Sequence, residues 1–184
     1  MKLRYLPPVR SPVTLRAVLA GLVPRRSALE RARELIAAEC EPDAVLLTDS
    51  GTSALRLALE AVTRQRGKDA TIALPAWCCY DVATAADGAG VRVVLYDLDP
   101  STLSPDLGSL ERVLARGASA VVVAHLYGYP VDLRAVRDLA DRAGALLIED
   151  AAQGVGGRYE GRPLGVYAPL AVLSFGRGKG RTGG

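Results

Sequence analysis

The stretch Ala145-Leu-Leu-Ile-Glu-Asp-Ala-Ala-Gln153 runs from four apolar residues directly into two carboxylates. A short apolar run of this kind is typical of a β-strand that is buried on both faces. The run 118–124 has the same character, and segments with a helical pattern lie between such runs. Strands and helices that alternate in this way predict an α/β fold, with a mostly parallel sheet and helices on both faces.

The same alternation extends over most of the chain. One helix is expected to begin at a capping box, in which Ser27 caps the helix and Glu30 reaches back to it. Another helix should bury one side, formed by Leu55, Leu59 and Val62. The predicted strands are 44–47, 71–74, 91–98, 118–124, 145–148 and 170–175, and the predicted helices are 27–40, 52–65, 81–89, 107–116 and 132–143, after a short helix or turn at 12–24 that ends near Pro24.

The composition limits the classes of protein to which the chain can belong. The chain has 184 residues, 49% apolar and 23% charged, which suits one domain with a sizeable core. It shows neither the roughly 18 consecutive apolar residues of a membrane helix nor a secretory signal, so we expect a cytoplasmic protein without a membrane span. Three cysteines, two of them adjacent, and one histidine argue against a disulfide framework and against a metal site.

The net charge of +3 is unevenly distributed. Residues 1–33 hold eight basic groups against one acidic group, a balance of +7, which leaves −4 for the remainder. A basic arm could meet nucleic acid or acidic lipid, but a solvated or subunit-facing arm is the more common case. Because the arm lacks the aromatic interleaving of single-strand binders, we expect no nucleic-acid partner.

Polar and glycine-rich segments follow the predicted strands. In an open α/β sheet, ligands bind outside the carboxyl ends of the strands, so segments at those ends share one rim of the sheet. We therefore expect a single composite site. Its five segments are 49–53, 75–80, 125–130, 150–153 and 174–179.

Three of these segments carry recognisable chemistry. Ser50-Gly-Thr-Ser53 offers backbone N–H groups and hydroxyls to an anion such as phosphate, although serine and threonine at helix starts are more often simple N-caps. Asp150, at the mouth of a buried strand, either needs a cationic partner or caps a turn. Lys179 stands between two glycines after an apolar strand, whereas Lys2 and Lys68, the other two lysines, have the settings of surface residues.

These three segments together indicate a cofactor. A desolvated lysine can act as the neutral nucleophile of Schiff-base chemistry, which arginine cannot do. A phosphate site, a carboxylate for a pyridinium nitrogen and a Schiff-base lysine are the protein groups that pyridoxal 5′-phosphate (PLP) requires.

Six segments, in this order, resemble the DegT/StrS-type sugar aminotransferases. These are PLP enzymes of the fold type I aspartate aminotransferase superfamily, and the resemblance covers about residues 44–184. The segments are Gly51-Thr-Ser-Ala54, Leu74-Pro-Ala-Trp-Cys-Cys79, Asp97-Leu-Asp-Pro100, His125-Leu-Tyr-Gly128, Glu149-Asp-Ala-Ala-Gln153 and Ser174-Phe-Gly-Arg-Gly-Lys179.

The resemblance implies roles for the residues of the site. Thr52, Ser53 and Ser174 would bind the phosphate of the cofactor. Asp150 would pair with the pyridine nitrogen and keep it protonated, so that the ring acts as an electron sink. Lys179 would form the Schiff base and then move protons.

The remaining expected site residues have roles of different kinds. Gly51 belongs to the phosphate segment, and Gln153 would lie against the ring. In most of the family an aromatic residue stacks on the ring from the position of Cys79; here Trp77 faces the same way on an extended chain, so either Trp77 stacks or it packs in the core. His125 is expected to be structural, because PLP chemistry does not require it.

The length departs from the family pattern, because family members are about twice as long and form their sites between two subunits. We expect a basic arm with helices at 1–43, a truncated PLP-binding large domain at 44–184, and no small C-terminal domain. A homodimer, or pairing with a second chain, is expected.

The resemblance implies transfer of an amino group from an amino acid, with glutamate as the expected donor, to a nucleotide-linked keto sugar. Such sugars serve cell-surface polysaccharide or secondary-metabolite synthesis. A PLP-dependent sugar dehydratase is a sister activity, but those relatives replace the lysine with histidine. A truncated, non-catalytic fragment that needs a partner chain is the third interpretation, and the chain length favours it.

Overall fold

The computed structural model describes residues 14–22, 27–176 and 179. Much of the basic arm, with Lys2, lies outside the described residues, as do Pro24 and the two glycines beside Lys179. In the described part of the chain, no helix is long and apolar enough to cross a membrane.

Between residues 51 and 150 the helices and strands alternate in the order that the sequence predicts, whereas the two-residue strands at 158–159 and 162–163 were not predicted. The α-helices are α1 (Leu15–Leu22), α2 (Ala28–Cys40), α3 (Gly51–Arg66), α4 (Tyr80–Gly88), α5 (Leu107–Ala115) and α6 (Leu133–Arg142), and the strands are β1 (Thr71–Pro75), β2 (Arg92–Tyr96), β3 (Ala120–Ala124), β4 (Leu146–Asp150), β5 (Arg158–Tyr159), β6 (Arg162–Pro163) and β7 (Leu170–Val172).

A five-stranded parallel sheet forms the centre of the structure, in the order β2-β1-β3-β4-β7. Strands β5 and β6 form a separate antiparallel pair. Helices α3 and α4 pack on one face of the large sheet, and α5 and α6 pack on the other. The predicted α/β class, with a mostly parallel sheet between helices, is confirmed.

Two apolar layers hold this sheet between the helices. Successive side chains of a strand point to opposite faces, so every second residue enters the same layer. Val121, Val123 and Leu147 pack with α5 and α6. Val122 and Ile148 pack with α3 and α4. The strands are apolar throughout because both of their faces are covered.

Polar caps set the starts of three helices. Ser50, Asp106 and Asp132 each accept, through a side-chain oxygen, the backbone N–H three residues later. The capping box predicted at the start of α2 is wrong, since Ser27 makes no side-chain cap hydrogen bond. An N-cap residue normally has an extended backbone, whereas Ser27 has φ −82° and ψ 2°.

Most predicted boundaries agree with the structure to within a few residues, and the side of α3 that was expected to be apolar is buried. The strand predicted at 44–47 is wrong. Val45 and Leu47 are partly buried and Ala44 and Leu46 are exposed, which is the alternation of a strand. A strand also needs a hydrogen-bonded neighbour, and among the described residues this segment pairs with none.

An open space separates this unpaired segment from the sheet. Strand β7 lies at the sheet edge and pairs only with β4 in the described structure. Residues 42–50 and 168–174 line the same cavity. The cavity therefore lies between an extended, unpaired segment and an open strand edge.

Replacement of Leu59 tests the packing of α3. Leu59 is fully buried, at 0% exposure, whereas Leu57 on the same helix is 39% exposed. Leu59→Ala should lower the free energy of unfolding by about 2–5 kcal/mol, because the loss of apolar burial adds to the cost of a cavity. Leu57→Ala, the matched control, should cost less than about 1 kcal/mol. Urea unfolding measures both, and equal losses would contradict this packing.

Candidate active site

The carboxyl ends of the parallel strands open into a cavity of about 1630 Å³. The start of α3, the end of β4 and the segment after β7 form its walls. Residues that the sequence places far apart meet here. The expected site residues that line the cavity are Gly51, Thr52, Cys79, Asp150, Gln153, Ser174 and Lys179.

The start of α3 forms an anion-binding corner of this cavity. Ser50 Oγ accepts the Ser53 N–H at 3.1 Å and donates to Ser53 Oγ at 3.0 Å, so Ser50 acts as an N-cap. The N–H groups of Gly51 and Thr52 lie in the first turn, where a helix provides no carbonyl partner. Together with the helix dipole, they favour an anion. Ser53 is not among the residues that line the cavity.

Ser174 brings a further hydroxyl to the same corner. A Cβ atom placed on Gly51 would stand 3.4 Å from Ser174 Cβ and 3.5 Å from its Oγ. The segment after β7 therefore approaches the first turn of α3 closely. The glycine leaves the space beside the Ser174 hydroxyl open.

Asp150, the last residue of β4, is the carboxylate of the cavity. Burial raises the pKa of Asp150 above its usual value. Among the smaller effects that lower this pKa, the Ala152 N–H donates to Oδ1 at 3.0 Å and Lys179 contributes a positive charge, whereas the charge of Asp81 raises it further. Because burial disfavours the ionised carboxylate, a cationic group beside it would be strongly favoured. A protonated ring nitrogen is a group of this kind.

Lys179 is the described lysine that lines this cavity. It is half-buried, and its backbone N–H donates to the Gly176 carbonyl at 3.1 Å. Lys68 is exposed, as expected of a surface lysine. The contrast between the two lysines agrees with the distinction drawn from the sequence.

Gln153 makes a contact that the sequence analysis missed. Its Oε1 accepts the backbone N–H of Tyr127 at 2.7 Å. Tyr127 has φ +56°, in the left-handed region that non-glycine residues rarely adopt. The glycine and proline that follow Tyr127 were a turn signal. Because Oε1 is engaged, the amide N–H₂ of Gln153 remains as the donor for the cavity.

The two candidates for the stacking position differ in placement. Cys79 lines the cavity, and its Sγ donates to Asp81 Oδ2 at 3.4 Å. Trp77 is 66% exposed, so it does not pack in the core, and it is not among the residues that line the cavity. A stacking role for Trp77 stays a prediction.

Glu149 is a further residue to which the sequence analysis gave no role. Its carboxylate is fully buried and lies 3.0 Å from Nε2 of His125, which is also fully buried. A carboxylate at the end of an apolar run is the signal that could have indicated it, because a charge is buried only with partners. The burial of His125 agrees with its expected structural role.

The groups around the cavity suit PLP. An anion-binding helix start, a carboxylate that favours a cationic partner and a lysine are the protein groups that this cofactor uses. In residues 14–22, 27–176 and 179, no group of three or more His, Cys, Asp or Glu side chains is arranged to hold a metal ion.

The fold and the site define the class as an α/β domain of the aminotransferase type. The chain belongs to the DegT/DnrJ/EryC1/StrS aminotransferase family, which residues 24–184 match.

Similar proteins include two from Streptomyces. The chain is 38% identical over 143 residues to the dTDP-3-amino-3,4,6-trideoxy-alpha-D-glucose transaminase of Streptomyces venezuelae, covering 78% of this chain and 37% of that protein. It is 36% identical over 149 residues to the L-glutamine:2-deoxy-scyllo-inosose aminotransferase of Streptomyces kanamyceticus, covering 80% and 33%.

A solved structure is also similar. The crystal structure of the sugar aminotransferase CalS13 from Micromonospora echinospora matches with a TM-score of 0.80 and 29% identity, over 91% of this chain and 48% of that chain. The present chain thus spans about a third of the length of the two curated relatives and about half of this solved structure.

Asp150→Asn should make the ligand-free chain more stable at neutral pH. Because burial raises the pKa of Asp150 in the folded state, the folded state binds the proton more tightly than the unfolded state. The stability contributed by this group therefore falls as pH rises from the unfolded pKa through the folded pKa, and it stays low above that. The gain in Asp150→Asn should be present at neutral pH and disappear below the ordinary aspartate pKa of about 3.9.

Asp132→Asn is the control, for which the change in stability at neutral pH should have the opposite sign. A hydrogen bond from the Tyr159 hydroxyl lowers the pKa of Asp132, so its replacement should reduce stability at neutral pH. Urea unfolding at a series of pH values measures both variants. A loss of stability in Asp150→Asn at neutral pH would instead identify Asp150 as a structural turn cap.

Proposed function

We propose that this chain is the PLP-binding part of an aminotransferase that moves an amino group from an amino acid to a nucleotide-linked keto sugar. The sugar would serve cell-surface polysaccharide or secondary-metabolite synthesis. The observation that carries the proposal is the convergence of the α3 start, Asp150 and Lys179 on one cavity. Family membership and the sugar aminotransferases among the relatives support it.

The cofactor phosphate would bind at the start of α3. The N–H groups of Gly51 and Thr52 and the hydroxyl of Ser174 would donate to it, with Ser53 completing the set. These donors lie at the positive end of the helix dipole, which favours a phosphate group. The hydrogen bonds between Ser50 and Ser53 hold the first turn in place.

Bound PLP supplies an electron sink for reactions at the carbon next to an amino group. Asp150 would hold the proton on the ring nitrogen through a charge-assisted hydrogen bond. Lys179 Nζ would hold the cofactor covalently and, when released, move a proton at the substrate carbon. Gln153 and the residue at Cys79 or Trp77 would lie against the ring.

Glutamate is the proposed amino donor. The name of the Streptomyces kanamyceticus relative specifies glutamine, so both amino acids belong in any assay. A sugar dehydratase is the less favoured activity, because Lys179 stands where the dehydratase relatives carry histidine. We also propose a cytoplasmic location, on the basis of the family to which the chain belongs.

The rest of the fold would come from outside these 184 residues. We assign residues 1–43 to an arm with helices and residues 44–184 to an incomplete large domain. The open edge of β7 and the unpaired segment 44–47 are the places where further structure could add to the sheet. A homodimer, or pairing with a second chain, would supply the remaining parts of the site.

Borohydride reduction in the presence of PLP should label Lys179. Reduction fixes the cofactor to the amine with which it has condensed, and peptide mapping by mass spectrometry locates it. Lys179→Arg keeps the positive charge but should abolish the label. Lys68→Arg, the matched control at an exposed lysine, should leave it unchanged. A label on Lys68 or Lys2 would refute the assigned site.

The chain by itself should show little or no aminotransferase turnover. Such rates depend on holding the donor, cofactor and lysine in reactive geometry, and the chain spans only part of its relatives. The assay combines glutamate or glutamine with a panel of nucleotide-linked keto sugars, and light scattering gives the mass in solution. Activity that appears only with an added C-terminal half would support the proposal. A monomer with full turnover would refute the need for further parts.

A further inference from the structure

A fully buried carboxylate that the proposed chemistry does not use lies next to Asp150. Glu149 Oε1 accepts the Gly165 N–H at 2.6 Å and lies 3.0 Å from His125 Nε2. Glu149 Oε2 accepts the Tyr167 N–H at 2.8 Å. The three groups that face the carboxylate are thus two backbone donors and one imidazole nitrogen.

The hydrogen bonds decide where the protons are. The Val131 N–H donates to His125 Nδ1 at 3.2 Å, so Nδ1 carries no proton. The neutral ring therefore has its proton on Nε2 and donates it to Glu149. Both carboxyl oxygens of Glu149 therefore face hydrogen-bond donors, and hydrogen bonds with fixed directions satisfy this buried group.

This junction, formed by Glu149, His125, Val131, Gly165 and Tyr167, ties together the backbone under the site. The backbone N–H of His125 donates to the backbone carbonyl of Asp150 at 3.1 Å. The loop that begins at His125 also holds Tyr127, whose N–H binds the Gln153 side chain.

The turn at Gly165 leads into β7 and then to Ser174. Gly165 has φ +96°, and a Cβ there would lie 2.7 Å from Leu173 Cδ2. Only glycine fits this turn, which packs directly against the residue before Ser174. The Gly165 N–H that binds Glu149 therefore fixes the start of the segment that carries Ser174.

We propose that Glu149 and His125 are positioning residues that hold the backbone of Asp150, Gln153 and Ser174 in register for the cofactor. The proposal rests on the proposed function, because it assigns these residues to the same site. Stability alone is a weak reason for such a junction, since well-packed apolar residues of similar volume often stabilise a core as well or better. A directional network specifies one arrangement of three segments, which apolar contacts do not.

Glu149→Gln tests the role at nearly constant volume. Whichever way the amide is turned, its N–H₂ group faces at least one donor: the Tyr167 N–H in one orientation, or the Gly165 N–H and the imidazole N–H in the other. The dissociation constant for PLP, measured by fluorescence titration, should rise about tenfold to a hundredfold, as happens in metal sites when groups that orient the ligands are replaced.

Leu110→Ala is the matched control. Leu110 is fully buried on α5 within the same apolar layer, and its truncation lowers stability without touching the junction. Its affinity for PLP should stay unchanged well below its melting temperature. Amide hydrogen exchange in the ligand-free chain should accelerate around Tyr127 and Ser174 in Glu149→Gln but not in Leu110→Ala.

Two results would overturn the proposal. One is a loss of PLP affinity that follows the loss of stability equally in both variants. The other comes from the wild-type protein. His125 is the only histidine of the chain, so its ring ¹⁵N resonances show which nitrogen carries the proton. A proton on Nδ1 would contradict the junction. If wild-type chain takes up no PLP, the proposed function fails, while exchange and resonance measurements still decide whether the junction positions these segments.

Discussion

Two neighbouring carboxylates at the end of β4 organise the structure, because side chains along a strand alternate between the faces of the sheet. Glu149 enters the layer of α5 and α6, where buried donors surround it. Asp150 faces the opposite side, where the cavity and the start of α3 lie. One face of the strand end thus binds the protein's own backbone, and the other offers a carboxylate to a ligand.

The different partners of these two groups explain their different chemistry. Glu149 has three hydrogen-bond partners and needs no further group. Asp150 has one backbone donor, from Ala152, and burial raises its pKa. A residue left short of partners in an otherwise satisfied fold is typical of a binding site, since local rules of stability are relaxed there.

The open edge of the sheet follows from the same architecture. Parallel strands rely on neighbours for their hydrogen bonds, and β7 has a described neighbour on one side only. The segment 44–47 shows the alternating burial of a strand but forms no ladder with any other described part of the chain. The cavity wall on this side therefore consists of the free edge of β7 and the unpaired segment. The wall at β4 and α3 is held instead by paired strands and a capped helix.

The sequence by itself determined the α/β class and the alternation of helices and strands between residues 51 and 150, because apolar runs and helical periodicity are local properties. It also indicated Lys179 among three lysines and Asp150 at a strand end. It failed at Ser27, where the backbone angles exclude a cap, and at 44–47, where a strand pattern has no hydrogen-bonded partner within the described residues. Residue type and periodicity report neither the backbone angles of one residue nor the neighbour of a segment.

Only the tertiary structure decided which groups meet. The approach of Ser174 to Gly51, the bond between Tyr127 and Gln153, and the exposure of Trp77 join or separate residues that are remote in sequence. The role of Glu149 belongs here as well, because its donors come from two other segments of the chain. Such contacts depend on distance and hydrogen-bond direction in three dimensions, and the spacing of residues along the chain carries neither.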